Sequence, residues 1–279
     1  MINTPSVSPA TPTRRAVLRA GAAGAMATLT ARWATAAEAG KDAGSFKFIV
    51  VNDIHYVDAK CGQWLAKAIT GMNALGAELC LIVGDLTEDG TRQQNAGVRE
   101  VLGGLKMPYY CVVGNHDHEA GNNSRKAFEA AFPHSENYLV EHRGYQFLGL
   151  DTTQGRAGKD TVVSKATLDW NAAALKALDR KRPTVLFTHF PLGWFTPSRP
   201  GNAGDLLDQY ANHNLRAVFN GHFHGATERH HGQAVVTTNT CCSFRRKNHD
   251  PFDARKGYFL CTAKDGNVSR EYVEIPPGA

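Results

Sequence analysis

Five short apolar runs in this sequence are each followed directly by a cluster of polar residues. The runs are rich in Val, Ile, Phe and Leu, as buried β-strands are, and span 46–51, 79–83, 109–113, 184–187 and 217–219. The clusters that follow them are Asn52-Asp53-Ile54-His55, Gly84-Asp85, Gly114-Asn115-His116-Asp117, Thr188-His189 and Gly221-His222-Phe223-His224. Because functional side chains of open α/β sheets gather beyond the carboxyl ends of the strands, the sequence predicts one shared site.

The side chains in these clusters are typical ligands of transition metals. Carboxylates, imidazoles and an amide together form a mixed nitrogen and oxygen donor set without cysteine. There are too many donors for one tetrahedral zinc ion, and a carboxylate such as Asp85 has two oxygens that can bridge two ions. The sequence therefore predicts a two-metal site, the kind that activates water for in-line phosphoryl displacement.

Each cluster taken alone has a simpler interpretation. A lone D-x-H or G-D after a strand is usually a turn whose side chain caps backbone N–H groups, and Thr188-His189 is less specific still. Only the ordered set of five is specific enough to predict a function.

The ordered pattern D-x-H, G-D, G-N-H-D, a lone His and G-H-x-H resembles the signature of the calcineurin-like metallophosphoesterases, from about residue 46 to the C-terminus. This resemblance implies an α/β fold, a four-layer αββα sandwich of two mixed sheets flanked by helices. It also implies hydrolysis of a phosphate ester by a metal-bridging hydroxide. The two ions would be divalent or trivalent transition metals, namely Fe, Mn or Zn.

The resemblance also implies a role for each matching residue. The ligands of the first metal would be Asp53, His55 and His224, those of the second metal Asn115, His189 and His222, and the bridging ligand Asp85. His116 would stabilise the phosphoryl oxygens or protonate the leaving alkoxide, and Asp117 would orient the His116 ring.

One position narrows the class of enzyme. Purple acid phosphatases carry a tyrosine ligand three residues after the bridging aspartate, whereas this chain has Glu88 there. The pattern is more similar to the cyclic nucleotide and glycerophosphodiester phosphodiesterases, which favours a small-molecule or lipid-derived phosphodiester as substrate. A secreted phosphomonoesterase and a non-catalytic metal-dependent binding protein are the alternatives.

Residues 1–39 resemble a twin-arginine export signal. Arg14-Arg15 precedes a weakly apolar stretch at 20–31, and small residues suit cleavage near 36 or 39. Val17 stands where such signals usually have Phe, and a basic tail or a membrane anchor is the alternative, although the stretch is short for a bilayer. The signal would leave a catalytic domain at 40–279 and a periplasmic or extracellular protein that meets the export machinery.

Composition agrees with one catalytic domain that does not bind nucleic acid. The chain has 279 residues, of which 42% are hydrophobic, and a net charge of +5. Residues 1–36 hold four arginines and no acidic residue, so cleavage would leave only +1. A nucleic-acid partner would require a clustered basic face. The sequence does not predict the oligomeric state.

Several features outside the metal pattern allow two interpretations each. The basic segment 243–256, with Arg245 and Arg246, either forms a solvated surface or attracts an anionic substrate. Trp194 and Phe195 either rim the site or pack their own loop. Cys241 and Cys242 either pack in the core or touch the pocket rim. Four further histidines are predicted to lie on the surface, namely His118, His230, His231 and His249.

The remaining periodicities predict alternating helices and strands. Helices are expected at 63–75, 92–102, 124–131, 164–178 and 202–212, and further strands at 138–141, 145–150, 233–238, 257–262 and 269–273.

Overall fold

The computed structural model describes residues 44–276. The predicted export signal at 1–39 lies outside these residues. The strands are β1 (Phe46–Val51), β2 (Leu79–Val83), β3 (Tyr109–Val112), β4 (Tyr138–His142), β5 (Tyr145–Leu150), β6 (Thr184–Thr188), β7 (Leu215–Asn220), β8 (Thr227–His231), β9 (Ala234–Thr238), β10 (Gly257–Lys264) and β11 (Asn267–Glu274). The helices are α1 (Ala59–Asn73), α2 (Arg92–Leu102), α3 (Lys126–Ala131), α4 (Lys165–Ala177) and α5 (Ala203–Asp208), with a 3₁₀ turn at Asn115–Asp117.

The strands form two mixed sheets. The five-stranded sheet has the order β11-β10-β1-β2-β3, and the six-stranded sheet has the order β4-β5-β6-β7-β9-β8. Strands β1, β2 and β3 run parallel, as do β5, β6, β7 and β9, whereas β4, β8, β10 and β11 pair antiparallel with their neighbours. The parallel strands are buried on both faces, which explains their continuous apolar sequence.

The two sheets pack face to face over an aromatic core. Phe48 on β1 contacts Phe147 on β5 and Phe219 on β7, with ring centroids 5.5 and 6.0 Å apart and nearly perpendicular planes. These rings are almost completely buried. Edge-to-face aromatic pairs of this kind stabilise a core beyond the area that they bury.

Helices cover the outer face of each sheet. Leu65 of α1 and Val98 of α2 belong to the cluster on the five-stranded sheet, and Leu175 of α4 and Leu206 of α5 belong to the cluster on the six-stranded sheet. The layers therefore follow the order helix, sheet, sheet, helix, and the predicted αββα sandwich is confirmed. Within residues 44–276, no helix is long and apolar enough to cross a membrane.

Most of the predicted elements are present, and beyond shifts of one or two residues at their ends there are three differences. Helix α1 begins at Ala59 rather than at 63, because the Asp58 carboxylate caps it by accepting hydrogen bonds from the backbone N–H of Lys60 and Cys61. Helix α5 ends at Asp208 rather than at 212. Strand β8 was not predicted.

Candidate metal centre

The seven predicted metal ligands lie together at the carboxyl ends of five strands. Asp53 and His55 follow β1, Asp85 follows β2, Asn115 follows β3, His189 follows β6, and His222 and His224 follow β7. Four of these residues therefore come from the five-stranded sheet and three from the six-stranded sheet. The packing of the two sheets assembles the set.

The backbone at most of these ligands is strained. Left-handed φ angles between 49° and 65° occur at Asp53, His55, Asp85, His222 and His224. Residues other than glycine rarely adopt this conformation, and when they do they cluster at functional sites. The sharp turns direct the side chains inward, where the ligands of both sheets meet.

Two glycines allow the ligand loops to approach each other closely. A Cβ on Gly84 would lie 2.5 Å from Nδ1 of His189, and a Cβ on Gly114 would lie 2.1 Å from the backbone nitrogen of Asp85. Neither position has room for a side chain. The glycines of the G-D and G-N-H-D motifs are thus required by packing.

The first ligand cluster contains Asp53, His55, Asp85 and His224, all of them buried, with candidate ligand atoms within 4.8 Å of one another. The Nε2 atoms of His55 and His224 face each other at 3.1 Å. Oδ1 of Asp53 lies 3.3 Å from Nε2 of His224, and Oδ2 of Asp85 lies 3.6 Å from Nε2 of His55. Nitrogen and oxygen donors that converge in this way fit a transition-metal ion.

The second ligand cluster contains Asp85, His189 and His222, joined by Asn115. Oδ1 of Asn115 lies 3.1 Å from Nε2 of His189 and 3.0 Å from Nδ1 of His222. Oδ1 of Asp85 lies 3.3 Å from Nε2 of His189. Asp85 therefore turns one carboxylate oxygen towards each cluster, which is the arrangement expected of a bridging ligand.

The ring nitrogens that point away from the two clusters are held by neighbouring oxygens. The acceptors are the carbonyl of Val83 for His189 at 3.0 Å, the carbonyl of Gly158 for His222 at 2.8 Å and the carbonyl of Lys247 for His224 at 3.3 Å. Nδ1 of His55 lies 3.0 Å from Oε2 of Glu88, as an ion-pair contact. Such contacts fix the ring tautomer and aim the opposite nitrogen at the metal site. All four histidines are thus oriented for metal binding.

The charges of the site differ from those of isolated side chains. Burial favours the neutral acid at Asp53, yet the adjacent His224 holds the pKa of this carboxyl below its ordinary value. Burial likewise opposes charge on the histidines, but Asp85 raises the pKa of His189 to about 9, and Asp53 raises that of His224 to about 11. Burial and the charge of His189 lower the pKa of His222 to about 4.

These shifts show that the carboxylates need positive charge between them. Without a metal, the protons on His189 and His224 supply it. A bound cation would take over the same role, because metal ligands must be deprotonated. The residues present therefore fit the metal set that the sequence predicted.

His116 lies beside the first cluster. Its ring contacts the His55 ring edge to face, with centroids 4.8 Å apart, and its backbone N–H donates to Oδ1 of Asp85 at 2.8 Å. Nδ1 of the ring lies 2.8 Å from the backbone carbonyl of Glu88, so it donates to that oxygen. Nε2, the other ring nitrogen, lies 3.5 Å from Nη2 of Arg246.

The role predicted for Asp117 is corrected by the structure. Asp117 accepts hydrogen bonds from the N–H and hydroxyl of Thr87, at 2.9 and 3.0 Å, and from the N–H of Gly114 at 2.8 Å. The carbonyl of Glu88 orients the His116 ring in its place. The hydrogen bonds of Asp117 therefore join the loop after β2 to the loop after β3. Burial and the charge of Asp85 raise the pKa of Asp117 to about 7.

Three residues near the site stand outside the predicted ligand and catalytic set, namely Glu88, Arg156 and Arg246, although Arg246 belongs to the basic segment that was predicted either to be a solvated surface or to attract an anionic substrate. The Glu88 carboxylate lies between His55 and Arg246 and is hydrogen-bonded to both nitrogens of one edge of the guanidinium. Arg156 donates to the carbonyls of His116 and His118. Glu88 was visible in the sequence as the replacement for a tyrosine ligand, and this signal could have identified it.

The surrounding loops also differ in part from expectation. His118 is buried, with Nε2 2.9 Å from the hydroxyl of Thr153, so its predicted surface position was wrong. His249 is exposed, but its ring stacks on His224 with centroids 5.2 Å apart.

The sequence left two interpretations open for the adjacent cysteines and for the aromatic pair at 194–195, and the burial of these side chains bears on both. Cys241 and Cys242 are both completely buried, and Sγ of Cys241 accepts a hydrogen bond from Nζ of Lys256 at 2.8 Å. Trp194 is half exposed beneath the Arg199 guanidinium, and Phe195 is 92% exposed.

Known proteins with similar sequences are phosphodiesterases. A 3′,5′-cyclic-nucleotide phosphodiesterase from Nostoc sp. is 25% identical over 61% of this chain, and the match spans 65% of the Nostoc protein. A glycerophosphodiester phosphodiesterase from Enterobacter lignolyticus is 26% identical over 66% of this chain and 69% of its own.

Solved structures share the fold at lower identity. A dimetal phosphatase from Danio rerio superposes with a TM-score of 0.62 at 13% identity, covering 81% of this chain and 95% of that protein. A purple acid phosphatase from yellow lupin gives the same TM-score at 14% identity over 84% of this chain and 52% of its own. These similarities support the sandwich architecture.

The family model of the calcineurin-like phosphoesterases matches residues 46–226, which contain all seven candidate ligands as well as His116. The match covers more than half of the sequence and includes every strand that carries a ligand. The chain belongs to the calcineurin-like phosphoesterase family.

Proposed function

We propose that this protein is a metal-dependent phosphodiesterase with two cations held between its sheets. The observation that carries the proposal is Asp85, whose Oδ2 faces the first cluster and whose Oδ1 faces the second. One carboxylate shared between two sets of converging donors is expected for a two-metal site. Fe, Mn and Zn all accept such donors.

Different residues of the chain would bind the cations and act on the ester. When bound, the two cations supply an activated water and positive charge for the phosphoryl oxygens. Asp53, Asp85 and Asn115 would bind the cations through their side-chain oxygens. His116, fixed through Nδ1 by the carbonyl of Glu88, would in its doubly protonated form carry a second proton at Nε2, to be given to the leaving alkoxide or shared in a hydrogen bond with a phosphoryl oxygen.

Two kinds of support favour a diester over a monoester. The Nostoc and Enterobacter relatives are named as phosphodiesterases, the first for cyclic nucleotides and the second for glycerophosphodiesters. The chain also carries Glu88 where a purple acid phosphatase would have tyrosine. A small-molecule or lipid-derived phosphodiester is the proposed substrate class.

The decisive experiment compares two chromogenic esters. The full chain, loaded with manganese, is assayed on bis(p-nitrophenyl) phosphate and on p-nitrophenyl phosphate, with Asp85→Ala as the inactive blank. Asp208→Ala, at an exposed carboxylate on α5, is the matched control and should match the unchanged protein. Diester preference supports the proposal, and monoester preference assigns a phosphomonoesterase. Bound metal with no turnover on either ester would point to a metal-dependent binding protein.

We further propose export through the twin-arginine pattern at Arg14-Arg15, which would place the enzyme in the periplasm or outside the cell. Support comes from the paired arginines and the apolar stretch that follows them. Replacing both arginines with lysine should keep the protein in the cytoplasmic fraction at its full length. Unchanged fractionation of this variant would contradict the proposed export route.

A further inference from the structure

The basic segment 243–256 is fixed against the metal centre by its own backbone. The carbonyl of Lys247 accepts from Nδ1 of His224 at 3.3 Å, and the N–H of His249 donates to the carbonyl of His224 at 3.1 Å. Nζ of Lys256 donates to the carbonyl of Arg246 at 2.6 Å, and the hydroxyl of Ser243 accepts from the Arg246 N–H at 3.0 Å. The backbone that carries Arg246 is thus held in place before any substrate arrives.

The side chain of Arg246 reaches from this segment to His116. Its Nε donates to Oε2 of Glu88 at 2.9 Å, and Nη2 donates to Oε1 of the same carboxylate. Nη2 also lies 3.5 Å from Nε2 of His116, the nitrogen that the proposed function turns towards the substrate. The guanidinium therefore borders the place where the reacting phosphoryl group would lie.

Arg246 keeps unused hydrogen-bond donors at this position. A guanidinium has five N–H groups in a fixed fork, and the pair with Glu88 uses two of them. The side chain is 40% exposed, so the remaining donors are accessible. Neighbouring arginines are engaged elsewhere, since Arg245 pairs with Asp58 and Arg255 pairs with Asp253.

We propose that Arg246 binds a non-bridging phosphoryl oxygen of the ester and helps to select diesters over monoesters. This inference rests on the proposed function. Glu88 neutralises the guanidinium, so the pair offers directional donors without adding net positive charge. A singly charged diester needs those donors, whereas a doubly charged monoester would also need the charge. Arg246 is thus a substrate-binding residue, and Glu88 is the residue that positions it.

The test separates binding from catalysis. Arg246→Ala should raise KM for bis(p-nitrophenyl) phosphate about 10- to 100-fold, the range expected for a lost charge-assisted hydrogen bond, with kcat changed much less. Calorimetry on the manganese-loaded protein should show a similar loss of affinity for inorganic phosphate. Arg246→Lys should recover part of the affinity. Arg245→Ala removes the same charge from the next residue and should leave both constants within about twofold.

A second variant tests the selectivity. Glu88→Gln leaves the guanidinium unneutralised and should shift the ratio of kcat/KM for diester over monoester towards the monoester, with metal content unchanged. An unchanged ratio would refute the role in selection, and loss of metal would assign Glu88 to holding His55 instead.

Other outcomes would overturn the role of Arg246 itself. Equal effects of Arg245→Ala and Arg246→Ala would show that substrate binding depends only on the overall positive charge of the segment 243–256. Loss of metal from Arg246→Ala would make its role structural. Failure of the proposed function has a different signature, because the unchanged protein would then prefer the monoester or turn over neither ester, while phosphate calorimetry would still report on Arg246.

Discussion

At the scale of single residues, the candidate centre contains side chains that converge on the two ligand clusters and one ring, that of His116, that lies beside them. Asp85 contributes an oxygen to each ligand cluster. His116 is held by the carbonyl of Glu88 through its ring and by Asp85 through its backbone N–H. Substitution should therefore separate metal binding from turnover.

Asp85→Ala should lose both metals and nearly all activity, because it removes a donor from each cluster. His116→Ala should keep its metals, since the backbone N–H that donates to Asp85 remains. Its kcat should fall by about 10²- to 10³-fold, or roughly 3 to 4 kcal/mol of barrier stabilisation. Metal analysis and steady-state kinetics on both variants test this, and equal metal loss would contradict the assignment of His116.

Metal loading should release protons. At pH 7 His189 and His224 are protonated in the metal-free protein, with pKa values raised to about 9 and about 11. As ligands they must lose these protons. Calorimetry in buffers of different ionisation enthalpy should detect one proton released from each, and metal affinity should rise between pH 6 and pH 8. A release of zero protons would contradict the charge assignment.

The same two histidines predict how stability depends on pH. A raised folded-state pKa contributes stability that is complete below the unfolded value near 6.5 and is lost as pH rises towards the folded value. Metal-free protein should therefore lose stability from pH 6.5 to about 9 as His189 deprotonates. The difference in Tm between loaded and chelated protein should widen over this range, and a constant difference would contradict the prediction.

The sequence revealed the ligands but not their supporting residues, for a physical reason. Each ligand directly follows an apolar strand, so local pattern locates it. The pair of Glu88 and Arg246 joins positions 158 residues apart, and only the packed loops bring them together. Asp117 shows the opposite limit, because a residue beside His116 in sequence turned its carboxylate towards Thr87 and Gly114.

At the scale of elements, the strand-to-loop junctions determine where the ligands point. Gly114 has an extended backbone with φ of −105°, so an added methyl group would be strained by contact alone. Its neighbour across the gap is the backbone nitrogen of Asp85, 2.1 Å from the added carbon. The junction after β3 is thus packed directly on the junction after β2.

Gly114→Ala should displace Asp85 and reduce metal content, and it should destabilise the protein by about 1 to 3 kcal/mol, as overpacking does. Gly201→Ala is the matched control, because its added carbon would meet only ordinary contacts at 3.9 Å. Metal analysis and denaturant unfolding of both variants check the prediction. Full metal content in Gly114→Ala would show that the loop can shift without moving the ligand.

Strand β8, which was not predicted, and the early start of helix α1 both have local explanations. Strand β8, with the sequence Thr-Glu-Arg-His-His, has no apolar residue to indicate a strand. It forms at a sheet edge, where pairing with β9 supplies its hydrogen bonds. Helix α1 began earlier than predicted because capping by Asp58 extends a helix beyond its apolar pattern.

At the scale of the whole molecule, the aromatic core packs one sheet on the other. It therefore maintains the distance between the ligands that follow the five-stranded sheet and those that follow the six-stranded sheet. Phe147 packs edge to face against Phe48 and is completely buried. Phe147→Ala should reduce the free energy of unfolding by about 3 to 5 kcal/mol. Phe252→Ala, at a side chain that is 96% exposed, should change it by less than about 0.5 kcal/mol. Denaturant unfolding of metal-free protein measures both, and similar values would contradict the proposed importance of the core.

The strand order leaves β1 without one of its two neighbours until late in synthesis. β1, which carries Asp53 and His55, lies between β2 and β10 in the finished sheet. Its neighbour β10 contains residues 257–264, which a ribosome adds after every ligand has been made. A nascent chain that stops at residue 226 thus has all seven ligands but an open sheet edge at β1. The strand that carries Asp53 and His55 therefore gains its second neighbour only after the last ligand has been synthesised.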